Sequence, residues 1–341
     1  MNSGGEKPPL TRQDFLSSID PRWCPGCGCY GVLKGLTTLF AKLDIPKEKY
    51  AVISGIGCSS RFPYYTSTYG FHTLHGRAPT IATGIKLTQP DLATWVITGD
   101  GDALAIGGNH YMHFMRRNPD IKMILFNNQI YGLTKGQASP TSTLGQRTKS
   151  TPWGTIERPA RPITLALAAG ATFAARVTDR DGAQLLEVLE AAAKHKGAAL
   201  IEVLINCIIF NDAAFRFVTE RETKPERTIW LKHGEPILFG AKQEKGLICK
   251  DMKLQVVDLE KDKVDRSQII VHDAHSPDAG LAFQLSQLQF PDDPFPFGIF
   301  RQVSEPTFEE LMVKQHSFVE SKVGKGDLKK LLHSSETWEV K

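Results

Sequence analysis

No run in this sequence is long and apolar enough to cross a bilayer, so a membrane role is not expected. Charge of one sign is scarce as well. The formal net charge is only +4 and no Lys/Arg block stands out, which leaves nucleic-acid binding without compositional support. Cysteine is sparse, six in 341 residues, too few for a disulfide scaffold. The opening stretch MNSGGEKPPLTRQDF lacks the apolar segment of a secretory signal. A cytoplasmic place follows, where clustered cysteines favour metal or redox chemistry. No internal repeat or low-complexity tract is evident. What remains is an ordinary apolar content and a length that suits one large domain or two smaller ones.

Residues 1–22 read as a loose polar arm. From about residue 30 to 215 short apolar runs alternate with helical patterns. The runs are Ala51–Gly55, Thr94–Thr98, Lys122–Phe126, Ala171–Val177 and Ala199–Ile205, each bounded by turn residues. They read as buried parallel strands. Helical patterns over Tyr30–Ala41, Thr80–Leu87, Leu104–Arg116, Ile163–Ala169 and Ala183–Lys194 separate them. The alternation predicts an α/β fold with a doubly wound, mostly parallel sheet over residues 23–220. Residues 221–341 read as a C-terminal extension that packs on a partner. It holds antiparallel strands near Ile237–Gly240 and Leu254–Leu259, then amphipathic helices near Phe308–Ser321 and Asp327–Leu332.

Gly99-Asp100-Gly101-Asp102 follows one strand and precedes a helix. Glycines let backbone approach a phosphate closely, and a helix N-terminus favours an anion. Asp100 beside phosphate needs an intervening cation, and Mg²⁺ takes carboxylate, carbonyl and phosphate oxygens. Asn127-Asn128 closes the next strand, so the Asn128 amide oxygen and the Ile130 backbone oxygen could complete the shell. Either motif alone is commonly a structural turn. Together, one helix apart, they point to one site.

Cys24-Pro-Gly-Cys27 lies in a Gly-rich loop before the first helix. Such a pair can be redox-active, zinc-binding or cluster-binding. No strand precedes it, which disfavours a thioredoxin-like role, and no second CxxC completes a zinc site. Cys58 and Cys207 each sit at a strand's carboxyl end, on the face that carries Gly99–Asp102. Four thiolates meeting there suit a [4Fe–4S] cluster. The bland reading of Cys207 is a buried apolar cysteine. Cys29 and Cys249 have no assigned role.

The run from Gly99 through NNQIYGLTKGQASPTS resembles the thiamine diphosphate enzymes. Its YGLTKGQ-SPT part, with WCPGC, GIGCS and NC-IFN, resembles the β subunits of 2-oxoacid:ferredoxin oxidoreductases over roughly Trp23–Asp212. By that resemblance Asp100, Asn128 and Ile130 hold Mg²⁺. Gly101, Asp102, Leu133 and Thr134 line the cofactor, with Ile56, Gly57, Cys58, Ser59 and His75 contacting it. The resemblance also implies an α subunit carrying the pyrimidine-binding domain in an α2β2 enzyme, coenzyme A as acyl acceptor and ferredoxin as electron acceptor. Arg61 and Lys135 are two cations near the expected pocket. A second cation would suit a distal carboxylate, so 2-oxoglutarate is the expected substrate, with pyruvate or a broad 2-oxoacid range as the alternative. The bland reading leaves Arg61 solvated. Two other classes stay open: a thiamine decarboxylase subunit with no electron transfer, and an iron–sulfur module on a vestigial fold. His72, His75, His110 and His113 lie close in sequence, where packing outweighs a zinc pair.

Overall fold

The computed structural model describes residues 9–340. Residues 1–8 of the expected arm lie outside the described residues. The remainder of that arm is not loose. Arg12–Phe15 forms a single turn capped by Thr11 and Asp14, and Phe15 is fully buried. Its ring lies edge-on to Phe40 and Tyr50, each with centroids 5.6 Å away.

The expected strand runs all form strands. They are β1 (Tyr50–Ser54), β3 (Ala93–Gly99), β4 (Ile121–Asn127), β5 (Phe173–Thr178) and β6 (Ala199–Leu204), with β2 (Tyr69–His72) between the first two. β1, β4, β5 and β6 are buried at every position, as strands covered on both faces must be. β2 is an edge strand with mostly exposed side chains, so no apolar run marked it in the sequence.

Beyond residue 220 come β7 (Thr228–Leu231), β8 (Leu238–Phe239), β9 (Lys245–Lys250), β10 (Lys253–Asp258) and β11 (Phe295–Gln302). The main sheet runs β2-β1-β3-β4-β6-β5-β11-β7, and only the β11–β5 pair is antiparallel. The expected boundary at 220 therefore does not divide the sheet, because β7 and β11 complete it. β8, β9 and β10 form a separate antiparallel sheet in which β9 lies between the two strands expected to pair.

The helices cover both faces. α1 (Cys29–Lys42) lies on one face. After the short α2 (Phe62–Tyr65), α3 (Ala78–Thr88) lies on the other. The expected helix 104–116 is two: α4 (Asp100–Leu104) and α5 (Gly108–Arg117). The break follows from close packing at Gly107, where a Cβ would stand 2.5 Å from the Asp102 carbonyl. α6 (Pro162–Ala168) joins α3 and α5, while α7 (Gly182–Lys194) packs on α1. The turns α8 (Arg216–Thr219) and α9 (Lys224–Arg227) lead to β7, and α10 (Gly280–Gln287) packs on α6.

α11 (Phe308–Val323) is anchored only at its start. Thr307 caps it, the Asp120 N–H donates to Glu309 Oε1 at 2.9 Å, and Lys196 pairs with Glu310 at 2.5 Å. Further along, Val313, Phe318 and Val323 are exposed, as are Leu328, Leu331 and Leu332 of α12 (Leu328–Leu332). No described helix is long and apolar enough to span a membrane.

Candidate active site

β3 and β4 are neighbours in register, so their carboxyl ends present Gly99 and Phe126 side by side. The chain turns into α4 directly at Asp100. Asp102, buried in that first turn, gathers three segments. Its Oδ1 accepts from the N–H groups of Ile56 at 3.0 Å and Gly76 at 2.8 Å, and its Oδ2 from Thr98 Oγ1 at 2.6 Å. His75 Nδ1 lies 2.7 Å from the same Oδ1. The approach is so close that a Cβ on Gly55 would stand 1.8 Å from Asp102 Oδ2. Asp102 is thus the brace between the β1 loop and the loop of His75.

One cavity opens among these loops. Ile56, Gly57, Cys58, Ser59, His75, Gly99, Asp100, Gly101, Asp102, Asn128, Ile130, Leu133 and Thr134 all line it. Its walls also include Cys29, Tyr131 and Gly132, which the sequence did not single out. Tyr131 OH donates to the Gly101 carbonyl at 3.0 Å, and a Cβ on Gly101 would stand 2.3 Å from the Tyr131 ring. The cavity measures about 80 Å³. Sites that enclose a drug-sized ligand hold roughly 300–1,000 Å³, so this one embraces only an end of such a molecule.

The donor set fits a cation and a diphosphate. Asp100 is 3% exposed, and burial pushes its carboxyl up to about 6. Ser139 Oγ donates to its Oδ2 at 2.6 Å, as does Thr141 Oγ1. A buried carboxylate of this kind is stabilised by a cation. Asn128 lines the same cavity, its Oδ1 accepting from the Ile130 N–H at 3.2 Å. Asn127 points away and donates to Glu202, so only one of the paired asparagines serves the cavity. Ser59 Oγ is buried in the wall with no hydrogen-bond partner among the described residues, an acceptor or donor left for a ligand.

The cysteines gather on the same end of the sheet. All six are free thiols. Trp23 Nε1 donates to the Cys58 carbonyl at 2.7 Å, tying the CPGC loop to the GIGC loop. Burial, with the thiols of Cys27, Cys207 and Cys24 nearby, pushes Cys58 up to about 12. A Cβ on Gly132 would lie 3.5 Å from Cys58 Sγ and 3.6 Å from Cys207 Sγ. No group of three or more described His, Cys, Asp or Glu closes up around one metal ion. Cys58 and Cys207 both face the position of Gly132, and Cys24 and Cys27 lie near enough to Cys58 to raise its thiol. Cys29 is buried beside Cys27, and its S–H lowers the Cys27 thiol to about 7. Cys249 stands apart, exposed near the end of β9.

Arg61 and Lys135 do not line the cavity. The Arg61 guanidinium lies 5.8 Å from the Tyr65 ring centroid and close enough to Cys58 to favour its thiolate. Lys135 is exposed, in a left-handed turn with φ 75°. The four histidines do not converge: His72 meets Tyr64 OH at 2.9 Å, and His110 meets Arg77.

Comparison with known proteins agrees with this geometry. Residues 55–203 match the family model for the C-terminal TPP-binding domain of thiamine pyrophosphate enzymes. The 2-oxoglutarate oxidoreductase subunit KorB of Mycobacterium tuberculosis is 49% identical over 97% of this chain and 89% of its own. The 2-oxoacid:ferredoxin oxidoreductase 1 β subunit of Aeropyrum pernix is 47% identical over 58% of this chain and 62% of its own. A solved 2-oxoglutarate:ferredoxin oxidoreductase from Magnetococcus marinus, with 2-oxoglutarate, coenzyme A and succinyl-CoA bound, superposes with a TM-score of 0.76. It is 31% identical, over 97% of this chain and 98% of that one. Near-full-length identity and a matching fold together place the chain in the family of 2-oxoacid:ferredoxin oxidoreductase β subunits, the thiamine pyrophosphate-dependent enzymes.

Proposed function

We propose that this chain is the β subunit of an enzyme that converts 2-oxoglutarate and coenzyme A to succinyl-CoA and CO₂, or runs the reverse, passing electrons to ferredoxin. The observation that carries this is the position of Gly132. The point where its Cβ would stand is 3.5 Å from Cys58 Sγ, 3.6 Å from Cys207 Sγ and 3.9 Å from Asn128 Nδ2. The thiols proposed for the cluster and the Asn128 side chain proposed for the cation therefore lie around one residue.

Each residue then has a task. Asp100, Asn128 and the Ile130 carbonyl would hold Mg²⁺, and Ser59 and the loop Gly99–Gly101 would receive the diphosphate. Bound there, thiamine diphosphate supplies the carbanion chemistry by which a 2-oxoacid loses CO₂. Cys24, Cys27, Cys58 and Cys207 would hold a [4Fe–4S] cluster, which supplies one-electron redox chemistry beside it. Asp102 keeps the loops of Ile56 and His75 at the spacing the cofactor needs. The small cavity leaves the rest of the cofactor to a companion α subunit, as in an α2β2 enzyme. Six free thiols accord with a cytoplasmic place.

The substrate follows from the named relatives and from two cations. Arg61 and Lys135 stand outside the cavity wall, and neither has a carboxylate partner among the described residues, so each is available to a substrate carboxylate that extends past the cavity. The test is anaerobic, CoA-dependent reduction of a one-electron acceptor by the complex with its companion chain, across a panel of 2-oxoacids. 2-Oxoglutarate is expected to be the best substrate, and Arg61→Ala is expected to lower its kcat/KM more than that for pyruvate. Equal losses on both would refute the role of Arg61 in reading a distal carboxylate.

A further inference from the structure

The sequence motifs account for Asp100 but not for what stands behind it. Thr141 Oγ1, which donates to Asp100 Oδ2, also lies 3.0 Å from Asn127 Oδ1. Asn127 Nδ2 donates to Glu202 Oε1 at 2.7 Å, and Glu202 Oε2 accepts from Arg176 Nε at 2.7 Å. Five side chains thus form one line from the end of β3, through the 138–161 loop and β4, to β6 and β5. All five are buried, none more than 5% exposed.

The chemistry of the atoms sets the direction of this line. An ionised Glu202 only accepts, so Asn127 must turn its Nδ2 toward it and its Oδ1 toward Thr141. The Gln129 N–H, 3.3 Å from that Oδ1, requires the same orientation. Thr141 has one hydroxyl proton and three acceptors in reach: Asp100 Oδ2, Asn127 Oδ1 and, at 3.2 Å, Ser139 Oγ, whose own proton goes to Asp100. The ionised carboxylate is the stronger acceptor and takes the larger share. With Ser139 as the second donor, Asp100 Oδ2 is saturated and its rotamer is fixed. Oδ1 is then the oxygen left for a cation. The far end of the line is immobile too, for the Arg176 guanidinium sits 4.5 Å over the Phe295 ring of β11.

We propose that Thr141, backed by Asn127 and Glu202, is a positioning residue that sets the affinity of Asp100 for its divalent cation. The proposal rests on the reading of Asp100 as a cation ligand. A carboxylate held by outer partners binds metal in one geometry, and loss of such a partner typically weakens binding roughly 10–100-fold. Thr141→Val keeps the branched shape and removes the hydroxyl. Thr141→Ser keeps the hydroxyl and removes a methyl group.

The experiment uses the complex of this chain with its companion, saturated with thiamine diphosphate, and Mn²⁺ as the probe. The electron paramagnetic resonance signal of free Mn²⁺ gives the bound fraction, Mg²⁺ competition confirms the site, and thermal unfolding checks each variant's fold. Thr141→Val is expected to weaken Mn²⁺ binding roughly 10–100-fold. Thr141→Ser is expected to restore most of it, and Glu202→Gln to give a smaller loss in the same direction. Unchanged affinity in Thr141→Val would overturn the proposal. Equal weakening in the Val and Ser variants would also overturn it, since packing alone would then explain the loss. Wild-type complex that takes up no Mn²⁺ would instead overturn the assignment of Asp100 as a ligand.

Discussion

At the scale of single residues, contact distances decide what the site tolerates. Gly55 is the sharpest case, because a Cβ there would overlap Asp102 Oδ2 at 1.8 Å. Gly55→Ala must displace Asp102 and loosen the loops of Ile56 and Gly76 together. Affinity for thiamine diphosphate, read by fluorescence titration, is expected to fall at least about tenfold, or ~1.4 kcal/mol. Wild-type affinity in this variant would contradict the brace. His195 makes a second prediction. Burial, and then Lys122, hold its imidazole down at about 4, against 6.5 when unperturbed. The unfolded chain therefore binds a proton that the folded chain refuses as pH falls from 6.5 toward 4. Stability from this group is complete above about 6.5 and is lost over that window, by about 3 kcal/mol in all. His195→Gln keeps a polar partner for Thr172, whose Oγ1 is 2.9 Å from His195 Nε2. It is expected to flatten the decline in denaturation midpoint between pH 6.5 and 4; an unaltered slope would show that another group causes it.

At the scale of elements, the sequence was most legible where structure is local. β1, β3, β4, β5 and β6 announced themselves because central parallel strands are mostly apolar runs, even with Lys122, Arg176 and Glu202 buried among them. β2 and β11 did not. β2 is exposed, and β11 carries Pro296 and Gly298, residues that argue against a strand until its neighbours are known. Phe15 was hidden for the same reason, since nothing local tells a lone Phe in a polar arm that it meets Phe40 and Tyr50. That contact makes the arm part of the core. Phe15→Ala is expected to cost about 3–5 kcal/mol in chemical denaturation. A loss under about 1 kcal/mol would mean that the arm is only loosely attached.

At the scale of the whole molecule, the motifs gave the cavity almost complete. Every expected cofactor residue lines it, because Gly99–Asp102, Asn128–Thr134 and Ile56–Ser59 each end a strand of one sheet. What escaped was tertiary: Cys29 and Gly132 in the wall, Ser139 and Thr141 behind Asp100, and the completion of the sheet by β7 and β11. These meetings depend on chain segments far apart in sequence, and no spacing rule encodes them. Arg61 and Lys135 were singled out by sequence proximity, and they stand outside the cavity wall.

In the proposed enzyme one chain joins a thiamine diphosphate wall to an iron–sulfur wall at Gly132. The most direct test of this junction is the content of iron, acid-labile sulfide and thiamine diphosphate in the anaerobically purified complex, wild type against Cys207→Ser. The expected wild type carries about four irons per cluster on this chain together with the cofactor. Cys207→Ser is expected to lose the iron and sulfide assigned to this chain while keeping the thiamine diphosphate. Full iron retention in Cys207→Ser, or a wild-type chain that binds the cofactor without iron, would contradict it.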